Sequence, residues 1–215
     1  MKLVVFDMDG VLLRGRTILF LAESFGFRHR AVEILGREAP KREITMGLAG
    51  LLKGIEVEGF MDVVKGIPLT EGAAETLEAL KRDGHRTAII TDSYDLVAEH
   101  FRERLGMDRA VGNRLMVEDG RITGGVEMPL NCPSPAGCNS PSICKMEVMK
   151  GLAEELGVPL SETIAIGDNA VDICMVKGAD LGIAFNPKVP ELEEAADVVI
   201  RSGDLREILR YTSVK

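Results

Sequence analysis

No stretch of this sequence approaches the roughly 20 consecutive apolar residues that a membrane-spanning helix requires. A basic excess is also missing. The 26 Lys and Arg are outnumbered by 34 Asp and Glu, for a formal net charge of -8, the wrong sign for a protein that grips nucleic acid by its phosphates. Glutamine is absent while charged residues make up 28%, the direction in which thermophilic proteins tend. Strand pattern begins within three residues of the first, so no signal peptide is expected. Internal repeats are absent. The four cysteines, Cys132, Cys138, Cys144 and Cys174, include no pair at the tight spacing that zinc sites normally show. What is present is a chain of 215 residues, 46% hydrophobic, enough for one α/β domain or for a core carrying a smaller inserted module. The expectation is a cytoplasmic protein handling small molecules, without nucleic-acid or membrane partners, whose cysteines are thiols or metal ligands rather than structural disulfides.

The chemistry begins at Leu3-Val4-Val5-Phe6-Asp7-Met8-Asp9-Gly10. A continuous apolar run of this length reads as a buried parallel strand, and functional groups collect at the carboxyl ends of such strands. Residues i and i+2 of extended chain share a side, so Asp7 and Asp9 face one crevice. Two neighbouring anions resist ionising unless a cation sits between them. A hard divalent ion such as Mg2+, held by carboxylates, water and phosphate oxygens, meets that need.

From Arg14 to Gly66 the period is helical. Ile18, Leu19, Leu21, Ala22 and Phe25 share a face, as do Ala31, Val32, Ile34 and Leu35, and Ile44–Leu52 and Phe60–Val64 are shorter amphipathic pieces. This is a small helical module inserted after the first strand. Beyond it, Thr70 is expected to cap a helix running through Leu80. Thr87–Ile90 is the second buried strand, ending at Thr91-Asp92-Ser93, and a helix follows over 95–105. Residues 113–117 and 121–126 flank Glu118-Asp119-Gly120 as a hairpin. Lys145 starts the helix before a third strand, Thr163–Ile166, which ends in Gly167-Asp168-Asn169-Ala170-Val171-Asp172. Further strands over 181–185 and 198–200 each follow a short helix, and Asp204 caps the last helix. Strands alternating with helices predict a Rossmann-like, doubly wound parallel sheet covered on both faces. Three strand ends, Asp7/Asp9, Thr91/Ser93 and Asp168/Asp172, then converge on one crevice with Lys145 nearby.

In this order and spacing the chain resembles the haloacid dehalogenase superfamily of phosphohydrolases from end to end. Asp7-Met8-Asp9-Gly10-Val11-Leu12 resembles the first motif, Thr91 the second, Lys145 the third, and the Gly167–Asp172 segment the fourth. Within the superfamily the chain is most similar to phosphoserine phosphatases, through Thr70-Glu71-Gly72-Ala73, Asn113-Arg114-Leu115 and the tail 204–209. The resemblance implies a core over 1–13 and 67–215 with a helical cap over 14–66, and a Mg2+-dependent phosphomonoester hydrolase acting on a small phosphorylated metabolite. It implies that Asp7 is the nucleophile, forming an aspartyl-phosphate, and that Asp9 is the general acid, then base. Mg2+ would lie between Asp7, the backbone carbonyl of Asp9, and Asp168, with Asp172 orienting Asp168. Thr91, and the N–H groups of Asp92 and Ser93 just after it, where a helix begins, would hold phosphate oxygens. Lys145 would balance the charge of Asp7 and of the transferring group.

The sequence departs from that pattern in five places. Phosphoserine phosphatases hold their amino acid with a Glu after the first motif and an Arg in the cap; here those positions fall at Arg16 and near Leu48. A positive Arg16 repels an ammonium group and suits an acidic or multiply phosphorylated substrate, unless it faces solvent. Asp92 replaces a Gly, and Val171 stands where an Asn is common. The loop 131–144 is longer than usual and carries three cysteines that lead into Lys145. With Cys174 these could form a zinc site or a redox pair that moves the lysine, or Cys144 and Cys174 could be small buried apolar residues. Two other functions fit the same motifs: phosphoryl transfer to an alcohol, and phosphate binding without catalysis.

Overall fold

The structure is a computed structural model, and residues 1–128 and 142–212 of it are described. A seven-stranded sheet has the order β4-β3-β2-β1-β5-β6-β7. The strands are β1 (Leu3–Phe6), β2 (Arg86–Tyr94), β3 (Arg109–Glu118), β4 (Arg121–Glu127), β5 (Thr163–Gly167), β6 (Leu181–Phe185) and β7 (Val198–Ile200). All pairings are parallel except that of β4, which closes an antiparallel hairpin on β3 at one edge. β1 is central: Val4 lies opposite Thr87 of β2 on one side and Ile164 of β5 on the other. The chain builds outward from β1 in both directions, so the crevice at the carboxyl ends of β1, β2 and β5 is the topological switch point where open α/β sheets bind ligands.

Alternation along β1 divides the core in two. Val4 and Phe6 pack with Leu77, Leu80, Val97 and Phe101, from α5 (Ala73–Arg82) and α6 (Asp95–Leu105). Leu3 and Val5 pack on the opposite face with Val148, Met149, Leu152, Met175 and Val176, from α7 (Lys145–Glu155) and α8 (Ile173–Gly178). Both faces of a four-residue strand are thus dry, and each fully buried aliphatic side chain contributes roughly 1.5–3 kcal/mol of transfer free energy. α9 (Pro190–Ala195) and α10 (Leu209–Thr212) complete the sheet's covering.

Between β1 and α5 the chain forms α1 (Thr17–Ser24), α2 (Arg28–Leu35), α3 (Lys41–Leu51) and α4 (Val57–Lys65). Their apolar stripes, including Ile18, Leu21, Leu48 and Phe60, join the core on the Val4/Phe6 side. The β3–β4 hairpin holds this segment in place. The N–H groups of Gly54 and Val57 donate to the carbonyls of Ile122 and Gly120, and the N–H of Ile122 donates to Ile55. Gly124 has φ +85, and a Cβ there would stand 3.0 Å from the Lys53 Cβ and 3.4 Å from the Gly50 Cα; glycine permits this close approach.

Two local expectations are corrected. Thr70 does not cap α5; the residue before the helix is Gly72, at φ 74, with no side-chain cap bond. A Cβ at Gly72 would fall 2.4 Å from Asp204 Oδ1, so the packing of the C-terminal segment decides how this helix begins. β2 does not stop before Thr91 but runs to Tyr94, with an irregularity in its pairing to β3 between Ile90 and Tyr94. The Asn113 side chain donates to the Asp92 carbonyl at 2.7 Å and anchors this stretch. The helix therefore starts at Asp95, and Thr91 does not stand at a helix N-terminus.

Candidate active site

Asp7 follows the last residue of β1, and its N–H donates to the Ile166 carbonyl of β5 at 2.9 Å. Its side chain is almost wholly buried. Lys145, the first residue of α7, has no exposed surface and donates to Asp7 Oδ1 and to Asp172 Oδ1, each at 2.5 Å. The other oxygen of Asp172 accepts the N–H groups of Asp168 and Asn169, both at 3.0 Å. One lysine and one aspartate thereby tie the ends of β1 and β5 to the start of α7. Asp168 in turn accepts a bond from the Lys188 ammonium, beyond β6.

Carboxylate oxygens of Asp7, Asp168 and Asp172 all lie within 4.8 Å of one another. Three buried carboxylates share one buried lysine and one half-exposed lysine, so the cluster carries excess negative charge. Burial raises the Asp7 carboxyl well above its ordinary value; Lys145 opposes this, and the charges of Asp172 and Asp168 add to it. Asp168 is raised for the same first reason, against the pull of Lys188. Burial alone would lower the Lys145 ammonium, but the charges of Asp172 and Asp7 outweigh it and hold that pKa above the usual lysine value. A divalent cation fits this donor set. Oxygen ligands are what Mg2+ takes, and two added positive charges would let all three acids ionise.

Asp9 is held differently. Its Oδ1 accepts the Thr17 hydroxyl at 2.5 Å and its Oδ2 the Thr17 N–H at 3.1 Å, so the first residue of α1 clamps both oxygens. Loss of hydration raises the Asp9 carboxyl to about 6, with the two Thr17 bonds lowering it in part. A carboxyl titrating there can give and take a proton near neutrality. Its environment is thereby distinct from that of Asp7.

Above these groups opens a cavity. The sheet side presents Asp7, Asp9, Asp92, Ser93 and Asp168, and the helical segment presents Arg16, Ile18, Lys41 and Leu48. Arg16 is the residue preceding α1 and is partly buried, so it faces this cavity as well as solvent. Leu48 stands on the same wall. Thr91 and Lys145 lie behind the cavity floor, both without exposed surface, and Thr91 Oγ1 accepts the Ser93 N–H at 3.1 Å. Asp172 is also fully buried and reaches the cavity only through Asp168 and Lys145. Cys144 is buried immediately before Lys145 and Cys174 is half-buried in α8; Cys132 and Cys138 lie outside the described residues.

Three residues of the site escaped the reading of the sequence. Thr17 and Lys188 bond catalytic candidates from 8 and 20 positions away, separations with no periodic signature. Lys41 starts a helix and is indistinguishable, by pattern, from a solvated lysine.

The model of one family, haloacid dehalogenase-like hydrolase, matches residues 4–177. A phosphoserine phosphatase of Methanocaldococcus jannaschii is 36% identical over 215 residues, covering 98% of this chain and 97% of that protein. One from Wolinella succinogenes is 32% identical, covering 98% and 100%. Among solved structures, a phosphoserine phosphatase captured as an analogue of its phospho-aspartyl intermediate superposes with a TM-score of 0.85 at 36% identity, covering 99% of both chains. A substrate-bound phosphoserine phosphatase gives 0.85 at 35%, covering 99% and 98%.

Proposed function

The chain belongs to the haloacid dehalogenase-like hydrolase family, among phosphatases, and on that premise we propose that it is a Mg2+-dependent phosphomonoesterase working through an aspartyl-phosphate. The observation that carries this reading is the Asp7–Lys145–Asp172 bridge with Asp168 beside it. It is a buried, cation-demanding cluster under a cavity that also admits a second, differently tuned carboxyl, Asp9.

In this reading the phosphate sits on the sheet side, against the main chain of Asp92 and the hydroxyl of Ser93. Thr91 supports that turn from behind through its bond to the Ser93 N–H. Asp7 attacks phosphorus as the ester P–O bond breaks, and Asp9 gives its proton to the departing alkoxide. Water then attacks the phosphoryl group while Asp9 takes back a proton, and the Asp7–phosphate bond breaks to release inorganic phosphate. Lys145 neutralises charge on Asp7 throughout. The side chains of Asp7 and Asp168 and the carbonyl of Asp9 would hold Mg2+, which would supply Lewis-acid stabilisation of the phosphoryl oxygens. Asp172 holds Asp168 in place through its backbone N–H. The helical segment 14–66 acts as a cap that excludes bulk water.

The substrate is a small phosphorylated metabolite other than phosphoserine, because Arg16 lines the cavity with a charge that repels an amino acid's ammonium, and Leu48 beside it offers no charge to an amino acid's carboxylate. Hydrolysis of p-nitrophenyl phosphate with and without Mg2+, with Asp7→Asn as control, tests the reading. Activity is expected only in the native protein with metal; equal rates in the two proteins would refute Asp7 as nucleophile.

A further inference from the structure

The cavity is asymmetric in charge. Its acidic side chains, Asp7, Asp9, Asp92 and Asp168, all come from the sheet, while the helical segment contributes two cations, Arg16 and Lys41, and among the described residues no carboxylate. The rest of the helical wall is mostly apolar: Ile18, Ile44 and Leu48 are buried there, with Thr45 as a polar residue among them. Among the described residues, neither the Arg16 nor the Lys41 side chain forms a hydrogen bond or ion pair with a protein group, although eighteen such ion pairs occur elsewhere in the molecule. The Arg16 charge is felt by Asp9, but no bond or ion pair engages either cation, which leaves both placed for a ligand anion.

Resting on the phosphatase reading above, we propose that the substrate carries a second anionic group, a carboxylate or another phosphate, which Arg16 and Lys41 hold on the helical side of the cavity, across from the sheet side that takes the phosphate to be cleaved. Arg16 offers a planar fork suited to either oxyanion, and Lys41 a point charge beside it. An ammonium group beside Arg16 and Lys41 would meet two like charges, and the helical segment lines the cavity with no acid to offset them. The apolar wall accommodates a short carbon skeleton between the two anions.

Matched substrates read each group separately. 3-Phosphoglycerate and glycerol 3-phosphate differ in the carboxylate; 3-phosphoglycerate and phosphoserine differ in hydroxyl against ammonium; 2,3-bisphosphoglycerate tests a second phosphate. With Mg2+ present, kcat/KM for 3-phosphoglycerate or the bisphosphate is expected to exceed that for glycerol 3-phosphate and for phosphoserine by about tenfold or more, the scale of one charge-assisted hydrogen bond. Arg16→Glu and Lys41→Glu should each reduce that ratio several-fold, chiefly through KM, and Arg16→Lys should retain part of it. Ratios near one, or ratios unchanged in both charge-reversal variants, would overturn the proposal while leaving p-nitrophenyl phosphate hydrolysis, and so the phosphatase reading, intact. Loss of all turnover would instead strike the phosphatase reading. The same comparison is then made by equilibrium affinity for the three non-amino compounds on the Asp7→Asn protein, where equal affinities overturn the second-anion site independently.

Discussion

Thr17 donates its hydroxyl and its backbone N–H to the two oxygens of Asp9, so the helical segment that roofs the cavity also positions the proposed proton carrier. The start of α1 and the end of β1 are thereby mechanically linked. Any displacement of the helical segment alters the aim of Asp9.

That link has a signature in pH. Asp9 sits at about 6, and protonating the leaving group requires its acid form, so kcat/KM should fall with rising pH above about 6. The Thr17 hydroxyl stabilises the ionised form, so Thr17→Val should move this limb to higher pH and lower kcat about tenfold through lost orientation. A pH–rate profile of both proteins checks it; an unmoved limb would assign the titration to another group.

Lys145 is the only positive charge between Asp7 and Asp172 among the described residues. Lys145→Met leaves buried carboxylates without compensation, which costs about 3–5 kcal/mol at neutral pH, and activity should be lost. The Asp7 carboxyl is already raised by burial. For an acid whose folded pKa lies above its unfolded value, the cost is present at high pH and relieved as pH falls through the folded value. Denaturant titrations in chelator should therefore show the deficit of the variant shrinking as the solution is acidified.

Metal binding should appear as stability. Mg2+ at 100 times its dissociation constant adds about 2.7 kcal/mol to a protein that binds it only when folded. A thermal melt of the native protein should rise with Mg2+ and fall back with chelator. Asp168→Asn should abolish most of that rise, whereas a rise of equal size in the variant would place the ion elsewhere.

Gly10 has φ +96, and a Cβ there would stand 2.0 Å from Asp168 Oδ2 and 2.7 Å from Lys188 Nζ. Gly10→Ala must displace Asp168, and the backbone strain adds about 1 kcal/mol or more. The expected outcome is weaker Mg2+ affinity together with lowered hydrolysis; calorimetric titration of Mg2+ into the variant measures it directly.

Much of this was written locally in the chain. The apolar runs ending in Asp7, Thr91 and Asp168 read as strands because burial on both faces leaves no alternation, and parallel strands bring their carboxyl ends together. Helical period over 14–66 announced the inserted segment, and the Glu118-Asp119-Gly120 turn announced the hairpin. The reading failed where neighbours in space overrode neighbours in sequence. β2 extends to Tyr94 because β3 offers it a partner and Asn113 holds the Asp92 carbonyl. α5 begins at Ala73, after a Gly72 that Asp204 and Arg206 crowd, whatever capping ability Thr70 has.

The residue types and their order, taken alone, determined the sheet, the acidic strand ends and the kind of reaction such ends support. Tertiary structure alone decided that Thr17 orients Asp9, that Lys188 meets Asp168, and that Arg16 and Lys41 share a wall with Ile44 and Leu48. Strand periodicity is a short-range consequence of backbone geometry. The direction in which a helix-start side chain points is set by how whole helices pack, and no spacing along the chain encodes it.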